Sequence, residues 1–290
     1  MAIEKHRLKK ILDKYYGEYD FSKRIPHDPI EFPRRFKNPE DIEVSGFIAS
    51  CLAYGKVELF KPVVDKILSQ MGGNPHAFLR DFDVRRDGSL FSVKYRFNER
   101  RDIVCLLFII HELLARYSSL KDAFKSYYSS SDTNTASAIS GLIKEILSIN
   151  TTRVYAKNIH PPGVMQFFPS PANGSACKRM NLFLRWMIRR RDIDFGIWDQ
   201  IPENKLVIPL DTHISRIGRC LGLTSRRSSD WKTAVEITEA LKTLDPRDPL
   251  KYDFALCHHG IAGLCKQGID VGCRQCQFSG CAVRQTALTP

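Results

Sequence analysis

At 290 residues the chain exceeds a comfortable single core, so one large domain or two lobes of ordinary size are expected. Its 44 Lys and Arg against 32 Asp and Glu leave a net charge of +12, which points to a polyanionic partner, nucleic acid before acidic lipid, without choosing DNA or RNA. The opening MAIEKHRLKK lacks the apolar run of a signal peptide, and the most apolar stretch, IVCLLFII at 103–110, is too short to cross a bilayer. A cytoplasmic protein without a membrane partner is the expectation.

The periodicity is helical along the chain. Asn38-Pro39-Glu40-Asp41 reads as a helix start, with Asn as cap, Pro first and acids in the first turn, and Gly55 ends that element. A second stripe (Phe60, Val64, Ile67, Leu68, Met71) is closed by Gly72-Gly73-Asn74-Pro75. Further stripes lie at 101–117, 137–147 and 230–244, and they read as core faces. SSSDTNTAS (129–137) and PPGVMQFFPSPANGS (161–175) are loop-like. With no repeat, no heptads and no strand ladder, the predicted fold is all-α with two helical lobes flanking a cleft: 40–200 as the first, and 1–39 with 201–290 as the second.

GSACKRMNLFLRWMIRRR (174–191) is predicted as a helix led in by Gly174-Ser175. Its buried stripe is Met180, Phe183, Leu184 and Met187. It carries six cations (Lys178, Arg179, Arg185, Arg189, Arg190, Arg191) and no acid. The ordinary account is a solvated basic face; the sharper one is a phosphate-binding element, because free N–H groups at a glycine-led helix start attract anions. Lys178 falls in the first turn, where the macrodipole disfavours a cation by roughly 0.3–1 kcal/mol. A positive helix end, nearby cations and partial burial would favour its neutral amine, the form that attacks as a nucleophile. An exposed lysine is the plain alternative.

VIPLDTHISRIGRCLGL (207–223) runs from an apolar extended stretch into a helix through Asp211-Thr212-His213. Asp211 is placed to cap that helix, a role worth roughly 1 kcal/mol. A metal pair of Asp211 and His213 is disfavoured, since ligands two apart diverge at a helix start.

LDTHISRIGRCLGL, with KRMNLFL upstream and a cysteine cluster downstream, resembles the helix-hairpin-helix (HhH-GPD) DNA glycosylases, in their endonuclease III-like iron-sulfur branch. Over nearly its full length the chain also resembles a bacterial family within that superfamily whose biology is little established. The resemblance implies Lys178 and Asp211 as the catalytic pair, with Gly174, Ser175, Arg179 and Arg185 on DNA phosphate. It implies base-excision repair of double-stranded DNA holding a damaged base, an oxidised one among the candidates, by a monomer associated with the nucleoid. In place of an L-P-G-φ-G hairpin (φ being apolar) the chain has ANGSACK, and in place of the family's glutamine-rich turn it has CLAYGK, where Tyr54 stands in or simply packs between the lobes. A glycosylase using water in place of lysine, a non-catalytic basic DNA-binding module with a structural metal, and an RNA-directed protein are the other readings.

Nine cysteines are present, and the scattered four (Cys51, Cys105, Cys177, Cys220) sit among apolar residues as buried thiols do. Cys265-x7-Cys273-x2-Cys276-x4-Cys281 has the spacing of a structural metal site at the chain end. Zinc and [4Fe-4S] both accept four thiolates, and spacing does not separate them; the resemblance favours [4Fe-4S]. Cys257 could replace a ligand, but shares a face with Phe254 and Ile261 and is expected in the core.

Overall fold

Proline-led starts and amphipathic spacing yield an all-helical chain. The structure, a computed structural model, describes residues 2–264 and Phe278; among them there is no β-strand, only isolated bridges at Tyr95–Asn98 and Ser175–Asp230. Ala2–Gly17 forms α1, and Pro39–Leu52 forms α2 with Pro39 in the first turn. Asn38 is at the N-cap position, but its amide donates to Asp41 Oδ2 (3.3 Å) and caps no backbone N–H. Val57–Ser69 (α3), Pro75–Arg80 (α4) and Val84–Asp87 (α5) follow, then the long Arg100–Tyr117 (α6), opened by a capping box of Glu99 and Asp102. Leu120–Lys125 (α7), Ala136–Ser148 (α8), Thr152–Tyr155 (α9) and Pro162–Met165 (α10) lead to Lys178–Ile188 (α11). Thr212–Cys220 (α12), Trp231–Lys242 (α13) and Asp253–Ile261 (α14) complete the described helices.

The stretch IVCLLFII lies in α6 and is buried throughout, from Ile103 to Ile110. A helix apolar on all sides needs neighbours all round, and α4, α7, α9 and α10 supply them. No described helix is long and apolar enough to cross a membrane.

The buried side chains form two clusters. One gathers residues from Ile30 to Leu206, with Leu250 and Phe254; the other gathers Leu12, residues from Val207 to Leu256 on α12, α13 and α14 and in the segments beside them, and Phe278. Residues 1–39, expected in a single lobe, divide between them, because Ile30 and Phe32 pack in the first cluster while Leu12 packs in the second. α11 packs on α2 in the first cluster and α12 on α14 in the second.

Among the buried acids, Glu43 sits beside the first cluster with no cation paired to it among the described residues. Glu43 accepts from Trp198 Nε1 (2.7 Å) and Leu120 N (3.1 Å), and burial raises its carboxyl to about 7 despite these donors. Because the folded value exceeds the unfolded one, the native state binds the extra proton between them, and stability falls as pH rises from about 4.5 to about 7. The contribution is on the order of 3 kcal/mol. Glu43→Gln should flatten that part of the stability–pH curve in urea titrations, whatever its effect at a single pH.

Candidate active site

Helix α11 begins at Lys178, four residues later than the glycine-led start expected from sequence. Gly174 (φ 77°) closes the 3-10 turn Pro171–Asn173, a left-handed position that glycine occupies without steric cost. The chain is then tied across to α13: Gly174 O accepts from Trp231 N (3.0 Å), and Ser175 bridges to Asp230. Cys177 takes φ 48° and ψ 37°, a left-handed conformation costing a residue with a Cβ roughly 1–2 kcal/mol. Its buried thiol donates to Pro169 O (3.2 Å). These constraints make Lys178 the first helical residue, on an end with no side-chain cap and no acid in the first turn.

Asp211 divides its two oxygens between two tasks. Oδ1 caps α12, accepting from His213 N (2.9 Å) and Ile214 N (2.8 Å). Oδ2 faces Lys178 Nζ at 3.4 Å and accepts from Cys257 Sγ at 3.5 Å. The close approach of α12 and α14 depends on Gly260, where a Cβ would stand 2.6 Å from His213 Cβ. That approach brings Cys257, one turn earlier on α14, to the carboxylate.

Both residues line a pocket of about 330 Å³ whose walls come from His27–Pro29, the segment Ala53–Phe60, α11, α12 and α14. Lys178 is 38 % exposed there and Asp211 11 %. Burial works against the lysine charge, but the charge of Asp211, with Cys257 and Asp28 adding to it, outweighs burial and holds the ammonium above the ordinary lysine value. The expected preference for neutral amine is therefore reversed in the resting protein, because the Asp211 charge outweighs burial.

The chain belongs to the family described as Protein of unknown function (DUF2400). The family model matches residues 28–262. That span takes in Lys178, Asp211 and Cys257 and ends before Cys265. No curated protein and no solved structure matches the chain.

Within the matched span, the cations of α11 depart from a solvated face. Arg179 turns inward, donating from Nη1 to Cys51 O (2.7 Å) and from Nη2 to Gln166 O, with its guanidinium over the Tyr54 ring. Arg185 is 3 % exposed between Asp253 (2.5 Å) and Asp194 (3.3 Å). Arg189 is buried among Asp192, Asp194 and Asp248. A phosphate contact by Arg179 or Arg185 would require these internal bonds to break, so the expected DNA-facing role is corrected to a packing one for both. Tyr54 also acts internally: its hydroxyl donates to Asn98 Oδ1 (2.6 Å) and bonds Tyr95 O (3.0 Å). Gly174 is exposed and Ser175 partly so.

Several pocket residues carry no local sequence signal. Cys257 packs against the second cluster, as expected, and also lines the pocket, its thiol pushed well above the usual range by burial and then by the Asp211 charge. Asp28 accepts from Ile30 N (2.9 Å) and meets His258 Nε2 (3.2 Å). Burial raises the Asp253 carboxyl to about 6 even with Arg185 beside it. Cys265, Cys273, Cys276 and Cys281 lie outside the described residues; among the described residues no group of three or more His, Cys, Asp or Glu is disposed to hold a metal.

Proposed function

We propose that the protein is a DNA glycosylase with AP lyase activity, acting on duplex DNA that carries a damaged base. The reading rests on one observation: a lysine at an uncapped helix start, 3.4 Å from a carboxylate whose other oxygen is fixed by two backbone N–H groups, in a pocket of a chain with net charge +12. The pocket, taken as the cleft between two lobes, would receive the nucleotide flipped from the stack.

In the proposed chemistry the base leaves with the electron pair of the glycosidic bond, and Asp211 stabilises the positive charge that grows on the sugar. Lys178 passes a proton to Asp211, and its nitrogen lone pair forms a bond to C1′. Opening of the C1′–O4′ bond gives a Schiff base. Loss of a C2′ proton then expels the 3′ phosphate with the electron pair of its C–O bond. Since the resting lysine is held as ammonium, the growing sugar cation has a second role: it competes with Lys178 for the Asp211 charge and so eases deprotonation. The same ammonium also favours a second reading, a glycosylase in which water attacks and Lys178 only balances Asp211.

Incubating the protein with a panel of duplexes, each holding one lesion, followed by hot alkali, tests the reading. Base release from at least one lesion duplex, and none from the undamaged control, is expected; release from no member of the panel would reject it. Action on one molecule of duplex by a monomer, in association with chromosomal DNA, belongs to the same proposal.

The four terminal cysteines are a donor set suited to [4Fe-4S], or to zinc, and when bound the group would hold the chain end in place. The [4Fe-4S] assignment predicts a brown protein with broad visible absorbance that fades on oxidation, and Cys276→Ser should diminish it. A colourless preparation holding one equivalent of zinc would establish the other metal.

A further inference from the structure

A second concavity, of about 590 Å³, opens between α5, the start of α6 and α9. Arg85, Arg101 and Arg153 line it, all three are exposed, and none forms an ion pair among the described residues. One acid, Asp83, stands at its edge: its Oδ1 caps α5, accepting from Arg85 N (2.9 Å) and Arg86 N (3.0 Å), and its charge is also felt by Arg153, which leaves one acid against three arginines. Tyr155 directs its hydroxyl away to Asp102 (2.7 Å). Three like charges gathered round one hollow repel each other, an arrangement that makes sense when an anion enters.

Arg101 of this hollow follows, by three residues, a turn that reaches the Lys178 pocket. Gly55 lines that pocket, and a Cβ on it would stand 2.6 Å from Arg96 Nη1, so the tight turn Tyr95–Asn98 borders the rim. Arg96 and Phe97 are exposed at the tip, the guanidinium against the Phe97 ring, and Arg100 and Arg101 follow at the start of α6. Of the acids on this path, Glu99 is bound to Lys94 (2.5 Å), and Glu58 is exposed at the pocket rim near Lys56. Lys56, Arg96, Arg100 and Arg101 thus form a cationic track from one hollow to the other.

We propose that the Arg85–Arg101–Arg153 hollow is a second DNA site, taking phosphodiester groups of the duplex backbone beyond the nucleotide in the Lys178 pocket. It rests on the DNA reading above. Its arginines are exposed on a wide rim and lie in line with the track, which suits a polymer passing over the surface better than a small phosphorylated molecule held in a closed cavity.

The test measures affinity for an undamaged duplex by fluorescence anisotropy across a salt series, so no catalysis is needed. Arg101→Glu/Arg153→Glu should bind on the order of tenfold more weakly, with the slope of log affinity against log salt shallower by about two. Arg101→Lys/Arg153→Lys should bind within about threefold of the parent, since phosphate contacts need charge more than a fixed fork. Equal affinity and equal slope for the glutamate protein, folded by circular dichroism, would overturn the proposal. So would calorimetric binding of inorganic pyrophosphate that the double substitution abolishes without touching duplex affinity. Trapping or base release by the parent alongside either result would discard this site alone; loss of duplex affinity without any base release would discard the glycosylase reading alone.

Discussion

Lys178→Ala is expected to yield no covalent adduct when borohydride is added to protein and lesion duplex, while the parent is trapped through reduction of its Schiff base. The fold should survive, because Lys178 is partly exposed and its ion partner among the described residues, Asp211, keeps both capping bonds to α12. A trapped Lys178→Ala protein would reject the lysine as nucleophile. An untrapped parent that still releases base would favour the water-using variant. Asp211→Asn separates chemistry from structure further: Asn caps a helix about as well as Asp, so the stability lost should be only that of the partly exposed pair with Lys178, about 1 kcal/mol or less. Single-turnover base release should nonetheless fall on the order of 10²–10⁴-fold, through loss of the anion and of the proton acceptor. Under a purely structural ion pair neither rate would exist to fall.

The lysine shift also fixes the direction of the pH response. Burial opposes the charge, Asp211 outweighs it, and the folded value lies above the ordinary one. The amine is then the minor form at neutral pH, and trapping should accelerate by up to about tenfold per pH unit between about pH 6 and 9. For stability the sign is opposite. The pair contributes fully below the unfolded lysine value and is lost as pH rises through the folded one.

Helix positions were legible in the sequence because each rests on local chemistry. Pro39, the Gly72-Gly73-Asn74-Pro75 stop and the apolar run inside α6 act within a few residues of themselves. The pairing of Lys178 with Asp211 is different: 33 residues separate them, no periodicity relates them, and only the family resemblance suggested it. Cys257 packs against the core as expected, but its reach to Asp211 was not legible, because α14 turns that face toward α12 and this depends on Gly260 admitting His213. Arg185 and Arg189 were misjudged for a related reason. Hydropathy sends an arginine to solvent unless its acid is known, and the acids of Arg185 lie 9 and 68 residues away.

Those inward arginines define the second large effect. Arg189 is 3 % exposed, its Nε bonding both oxygens of Asp248 at 3.0 Å, Nη1 meeting Asp194 Oδ2 at 3.0 Å and Nη2 meeting Asp192 Oδ2 at 2.8 Å. Arg185 shares Asp194 and reaches Asp253 on α14, so the two guanidinium groups join the end of α11 to the second cluster's last described helix. Taking these charges out of water is costly, and mutual attraction offsets the cost only while every partner is present. Arg189→Ala leaves Asp194 and Asp248 buried and short of a cation, and should lower unfolding free energy by about 3–5 kcal/mol in urea titrations. Arg190→Ala, one residue on, removes an exposed cation 3.7 Å from Asp199 and should change stability by less than about 1 kcal/mol. Equal losses at the two positions would contradict the buried network. If Arg189→Ala is too unstable to titrate, Asp248→Asn keeps the volume and tests the same network, with a smaller loss expected because one neutral acceptor remains.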